Sequence, residues 1–193
     1  MRLDVLHHGY RPATKLLFAV IRLFSGRPVP DAAKLVYYRP DFYGARAKEF
    51  THEAMRGPSD WSVADRELMA AYVSKVNASV FCVGAHTATA SRACGDAARV
   101  AAVLDDLDSA PVEERLRATL RLLGRLVADG TVSAADMREV LAAGVTPRQI
   151  EDALAICAAF NTTNRLADAF GFEVLSPEGF DSGARYLLKR GYR

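Results

Sequence analysis

The sequence predicts an all-α protein, and three observations carry that prediction. Apolar residues recur three and four positions apart along most of the chain, the spacing that places them on one helical face. No segment shows the strict alternation of a half-buried strand. Glycine, proline and small capping residues also recur at helix-length intervals. The 193 residues are half hydrophobic and one quarter charged, with 50% and 25% respectively, which suits one globular domain with a real core rather than a disordered chain.

The elements follow in order. An apolar segment spans about 14–24 and ends at Ser25-Gly26-Arg27-Pro28. A second helix starts near Asp31 and is broken by Pro40, and a third runs from about 41 to 56 and stops at Gly57-Pro58. Ser62, with Asp65 three residues on, has the form of a capping box opening a helix over 63–77. The next helix covers 79–94 and closes at Gly95, followed by a short one over 96–107. Pro111 is placed in the first turn of a helix reaching Asp129-Gly130, with Leu116, Leu120, Leu123 and Val127 as its apolar stripe. Ser133 caps a helix ending at Gly144. Thr146-Pro147 opens another that reaches Phe170-Gly171, with a candidate break near Asn161, and a last helix covers about 182–190. The total is about nine helices in one domain over 1–193, without an internal linker or short repeat. Residues 1–27 form an N-terminal extension whose apolar face, Leu16, Leu17, Val20 and Phe24, could cover a core or pair with another subunit.

Charge and cysteine usage narrow the function. A formal charge of +2 and no dense Lys/Arg block argue against nucleic acid. The stretch Lys189 to Arg193 reads as a solvated helix end. The early apolar run is interrupted by Arg22 and is too short to span a bilayer, so no membrane role is expected. Three cysteines make no secreted disulfide framework, which points to a reducing, cytoplasmic setting.

The stretch 79–86, Ser-Val-Phe-Cys-Val-Gly-Ala-His, carries the chemistry. Cys82 and His86 stand four residues apart, so on a helix the imidazole can act as base or charge partner to the sulfur. Glu67, on the preceding helix, can orient the imidazole from its far side. Imidazolium and the start of the motif helix would both lower the Cys82 pKa. Ser79 faces the same side and can donate a hydrogen bond to a thiolate or sulfenate. Gly84 and Ala85 keep the surrounding surface small, leaving room for a substrate. Taken singly, Cys82 and His86 read as packing residues and Glu67 as a surface carboxylate; the joint spacing is what singles them out. Cys82, His86 and Glu67 could also supply three metal ligands, but no second Cys/His cluster completes a site, and His7-His8 is remote from the motif. Cys94 would lie about 18 Å from Cys82 along a continuous helix and reads as structural, while Cys157 sits in an apolar run and reads as core. No glycine-rich phosphate loop and no flavin or nicotinamide fingerprint is present, so no cofactor is expected.

Glu67, eleven residues, then Ser79-x-x-Cys82-x-x-x-His86 resembles the alkylhydroperoxidase D-like branch of the carboxymuconolactone decarboxylase superfamily, especially its peroxidase-related members. Their pattern is Glu, eleven residues, then C-x-x-C-x-x-x-H. The similarity extends upstream through Met55 to Ser62 and Asp65 to Leu68, and downstream through Ala159-Phe160-Asn161 and Asn164 to Asp168, covering roughly 28–175. The resemblance implies an all-helical homo-oligomer, commonly a dimer, trimer or hexamer. It also implies Cys82 as the thiol attacked by hydroperoxide, with His86 and Glu67 as proton relay and an external thiol or dithiol as reductant. Ser79 departs from the pattern at the resolving cysteine, so no disulfide can close within the motif. Three readings follow: a one-cysteine antioxidant peroxidase, a non-redox acid/base enzyme like the lactone decarboxylases, and a catalytically silent oligomeric module marked by a buried, inert Cys82.

Overall fold

The computed structural model of the chain describes residue 6 and residues 8–192; residues 1–5, His7 and Arg193 lie outside the described residues. Among the described residues are ten α-helices, one π-helical turn and no strand. The helices are α1 (Pro12–Ser25), α2 (Asp31–Tyr38), α3 (Ala45–Arg56), α4 (Val63–Val76) and α5 (Val80–Cys94). They continue as α6 (Ala97–Asp105), α7 (Glu114–Asp129), α8 (Ala134–Ala142), α9 (Pro147–Phe170) and α10 (Pro177–Arg190). The π-helical turn, Pro40–Gly44, joins α2 to α3. No helix among the described residues is long and apolar enough to cross a membrane.

Ser62, Ser133 and Thr146 each cap a helix where the sequence places a helix start. Ser62 and Asp65 form a reciprocal capping box at α4, and Ser133 with Asp136 and Thr146 with Gln149 do the same at α8 and α9. Three boundaries differ from expectation. Pro111 precedes α7 instead of opening it, because the Arg117 guanidinium donates to the carbonyls of Leu107, Asp108, Ala110 and Val112 and holds that stretch as a loop. Helix α9 runs through Asn161 without a break. Helix α10 starts at Pro177, five residues earlier than predicted, with the Ser176 hydroxyl accepting from the Gly179 N–H at its start.

The larger apolar core lies among α3, α4 and α6 to α9, around Trp61, Met69, Leu120, Leu123, Ile156 and Phe160. Trp61 is fully enclosed, and its indole N–H donates to the Gln149 carbonyl at 2.9 Å. Cys157 is part of this core, as its apolar run predicts, and Cys94 packs at its margin. A second cluster gathers Leu6, Leu35, Phe81, Cys82, Ala167 and Phe172. The apolar face of α1 covers neither. Leu23 and Phe24 are 79% and 84% exposed, and Leu16, Leu17, Val20 and Ile21 also face outward, while Phe18 packs edge-on to Tyr10 and Tyr37.

Two packing relations position the motif. Helices α4 and α5 form the most extensive pair in the molecule, joined by the turn Asn77-Ala78-Ser79. The Ser79 N–H reaches back to the Ser74 carbonyl at 3.0 Å, which requires Ala78 to adopt the left-handed conformation at φ 56°. Helix α10 then lies across α5. The space expected beside Gly84 for a substrate is filled by the Phe180 ring, so a Cβ on Gly84 would stand 2.6 Å from its carbons.

Gly84→Ala is therefore expected to destabilise the protein by about 1–3 kcal/mol through overpacking. In a denaturation double-mutant cycle with Phe180→Leu, the two losses should be less than additive, because the smaller side chain gives the new methyl room. Full additivity would mean that α10 does not rest on Gly84.

Candidate functional site

Glu67, at the centre of α4, is fully buried with 0% exposure. A carboxylate there is stable only if its charge is matched and its oxygens are supplied with donors. Three side chains supply them. The His86 Nδ1 lies 2.7 Å from Oε2, and an Arg56 guanidinium nitrogen lies 2.6 Å from Oε1. The Tyr192 hydroxyl donates across both oxygens, at 2.9 and 3.1 Å. Burial pushes the Glu67 carboxyl upward, but the hydrogen bond and charge of His86, together with Arg56, outweigh it and hold the group below its ordinary 4.5. Glu67 is accordingly an ionised acceptor at neutral pH.

The surroundings fix the other partners. Arg56 ends α3 and also donates to the carbonyls of Met55 and Leu187. His86 is buried on α5, with the Phe160 ring of α9 edge-on to it at 4.3 Å and the Tyr192 ring nearly parallel to it at 6.3 Å. Burial, followed by the charge of Glu67, raises the Tyr192 phenol well above 10, so it remains a proton donor. A carboxylate 2.7 Å from Nδ1 requires the imidazole hydrogen on Nδ1, so in the neutral ring the lone pair is on Nε2.

The structure thus brings Glu67 and His86 together, and Cys82 lies one helical turn before His86 on α5. The expectation that Cys82 would be acidic is overturned. Its side chain is 1% exposed within the second apolar cluster. Burial pushes the thiol up to about 11; the Ser79 hydroxyl opposes this, and the carboxylate of Asp168 adds to it. Ser79 does stand beside the sulfur, but its own hydroxyl hydrogen goes to Asp168 Oδ1 at 2.9 Å. Among the described residues, no group of three His, Cys, Asp or Glu side chains is placed to hold a metal.

Sequence reasoning missed Arg56, Tyr192 and Asp168. Arg56 is eleven residues from Glu67 and Tyr192 is 125 residues away, distances at which helical periodicity carries no information. The available signals were the stretches carrying the resemblance, in which Arg56 and Asp168 lie, and Tyr192 itself, an aromatic residue within a stretch read as solvated.

An ionised carboxylate and an imidazole are buried together beside a helix-borne thiol in an all-helical fold. Residues 40–125 match the carboxymuconolactone decarboxylase family, so the resemblance carried by the motif stands. A peroxidase-related protein of uncharacterised function from Silicibacter sp. superposes with a TM-score of 0.77 at 24% identity, over 93% of this chain and 95% of that one. A second, from Ralstonia eutropha, described as an alkylhydroperoxidase AhpD core and an uncharacterised peroxidase-related protein, gives 0.71 at 22% identity, over 96% and 95%. At these identities the likeness is one of fold. No curated protein matches the sequence.

Two titrations follow. The Cys82 thiolate, followed by its ultraviolet absorbance, is expected near pH 11 rather than at or below the ordinary 9; a midpoint below 8 would contradict the burial described. For Glu67 the folded pKa is depressed. Its contribution to stability is therefore complete above 4.5 and lost as pH falls through the lower folded value. Glu67→Gln is expected to flatten that acid loss and, by leaving Arg56 unpaired, to cost about 3–5 kcal/mol at neutral pH.

Proposed function

We propose that the chain is a one-cysteine, thiol-dependent hydroperoxide reductase in which Cys82 is activated by proton transfer to His86 at the moment of reaction. The observation that supports this reading is the buried Glu67–His86 pair at 2.7 Å, which leaves Nε2 basic one helical turn from the thiol. A thiol raised to about 11 is not a standing nucleophile. It needs a positioned base, and a carboxylate held ionised behind the imidazole stabilises the imidazolium that forms.

The steps balance. The Cys82 thiol proton passes to His86, and the thiolate sulfur attacks the terminal oxygen of ROOH. The O–O bond breaks, and the departing alkoxide takes the proton back from His86 to give ROH and the sulfenic acid. With Ser79 in place of a resolving cysteine, one external thiol condenses with the sulfenic acid, releasing water. A second thiol cleaves the mixed disulfide and restores Cys82. A cytoplasmic homo-oligomer, taking a small hydroperoxide and an external thiol or dithiol, completes the reading.

One observation favours a second reading. Cys82 is neutral and buried, whereas the Glu67–His86 pair is complete without it, as a non-redox acid/base enzyme would require. Burial of Cys82 is also the mark of a silent module, but such a module needs no ionised carboxylate beneath three donors.

The deciding experiment uses a Cys94→Ser/Cys157→Ala protein, an organic hydroperoxide and a sulfenic-acid trap. Trapping on Cys82, slowed about 10²–10⁴-fold in His86→Ala and strongly in Glu67→Gln, is the expected result. If Cys82 remains unlabelled under excess hydroperoxide, the peroxidase reading fails. Any activity on a small carboxylate that survives Cys82→Ser would then mark the acid/base enzyme.

A further inference from the structure

Tyr192 lies beyond α10 in a stretch whose sequence suggests only a solvated, basic helix end. The structure gives that stretch two faces. Lys189 and Arg190 are exposed in the last turn of α10, but the chain then turns inward. Gly191 adopts φ 68° and ψ −152°, a conformation for which glycine is suited and other residues are not. A Cβ there would stand 2.6 Å from Cε1 and 2.7 Å from Nδ1 of His52. The Tyr192 N–H donates to the same His52 Nδ1 at 3.2 Å, anchoring the backbone on α3. The side chain passes under Arg56, whose guanidinium carbon lies 5.1 Å above the ring, and sets its hydroxyl on Glu67.

We infer that Tyr192 is a positioning residue of the Glu67–His86 pair, holding the carboxylate through its hydroxyl and setting how strongly Glu67 draws on the His86 Nδ1–H. This rests on the reading of His86 as the working base. The physical argument is one of shared acceptance. Glu67 divides its charge among Arg56, Tyr192 and His86, and each donor it loses strengthens its hold on those that remain. The hydroxyl is also 3.5 Å from His86 Nδ1, so it borders the bond it modulates. The titratable and charged groups around the pair are Arg56 and His52 from α3, Arg66 from α4, Cys82 from α5, and Tyr192. Helix α9 contributes the apolar Phe160. Of these, Arg56 and Tyr192 bond Glu67 directly, as His86 does within the pair, and Arg66 donates to the Gly57 carbonyl instead.

Tyr192→Phe keeps the ring and removes only the hydroxyl. With one donor fewer, Glu67 stabilises the imidazolium more, and the His86 titration followed by imidazole ¹⁵N resonances should move to higher pH. A shift of about half a unit, a threefold change in the protonation ratio, is expected. The acid limb of the sulfenate-formation rate should move with it. Gly191→Ala, which displaces the tyrosine without removing it, should shift the titration in the same direction. A purely structural Tyr192 would lower the melting temperature and leave the His86 titration where it was, and superimposable wild-type and Tyr192→Phe curves would overturn the inference. The resonance measurement requires no turnover. A wild type that forms no sulfenate but shows the shift sinks the peroxidase reading while keeping Tyr192 in its role; sulfenate formation without the shift does the reverse.

Discussion

A fully buried, ionised Glu67 is the constraint on which the rest of the molecule depends. A carboxylate removed from water without compensation would neutralise itself or unfold its surroundings. Here compensation comes from three separated parts of the chain: Arg56 at the end of α3, His86 in the middle of α5, and Tyr192 after α10. Meeting that requirement ties α3, α4, α5 and the stretch after α10 to one point. One of these bonds, from His86 to Glu67, assigns the imidazole hydrogen to Nδ1 and so puts the lone pair of the neutral ring on Nε2. A single electrostatic requirement thus organises both packing and chemistry.

The thiol shows two physical effects in opposition. Cys82 occupies the third position of α5, where backbone N–H groups and the helix dipole favour an anion. It is also enclosed by Phe81, Ala167 and Phe172, with a carboxylate nearby at Asp168, and these disfavour one. Burial wins, because transfer of an anion out of water costs more than the first turn of a helix returns. Spacing arguments see the first effect and are blind to the second.

That asymmetry runs through what the sequence disclosed. Features set by neighbours within one helical turn were legible: the box at Ser62, the helix starts at Ser133 and Thr146, and the stripe of α7. The start of α7 was misplaced because a side chain six residues past Pro111 captures the loop carbonyls. The start of α10 was placed five residues late, because Gly179 and Gly183 weaken the helical signal in its first turns. Arg56 and Tyr192 could not be reached by local reasoning, since their importance is created by folding. The motif named Glu67, His86 and Cys82, but not Arg56 and Tyr192, which bond Glu67.

Helix α10 lies over the motif, with Phe180 on Gly84 and Phe81. Cys82 is itself 1% exposed, so its apparent reactivity is its intrinsic reactivity multiplied by the fraction of time its surroundings open. An opening that costs about 3 kcal/mol leaves the thiol shielded more than 99% of the time. A factor common to all reagents leaves their relative rates unchanged, whereas a transient, largely apolar gap admits small, apolar reagents before large or charged ones.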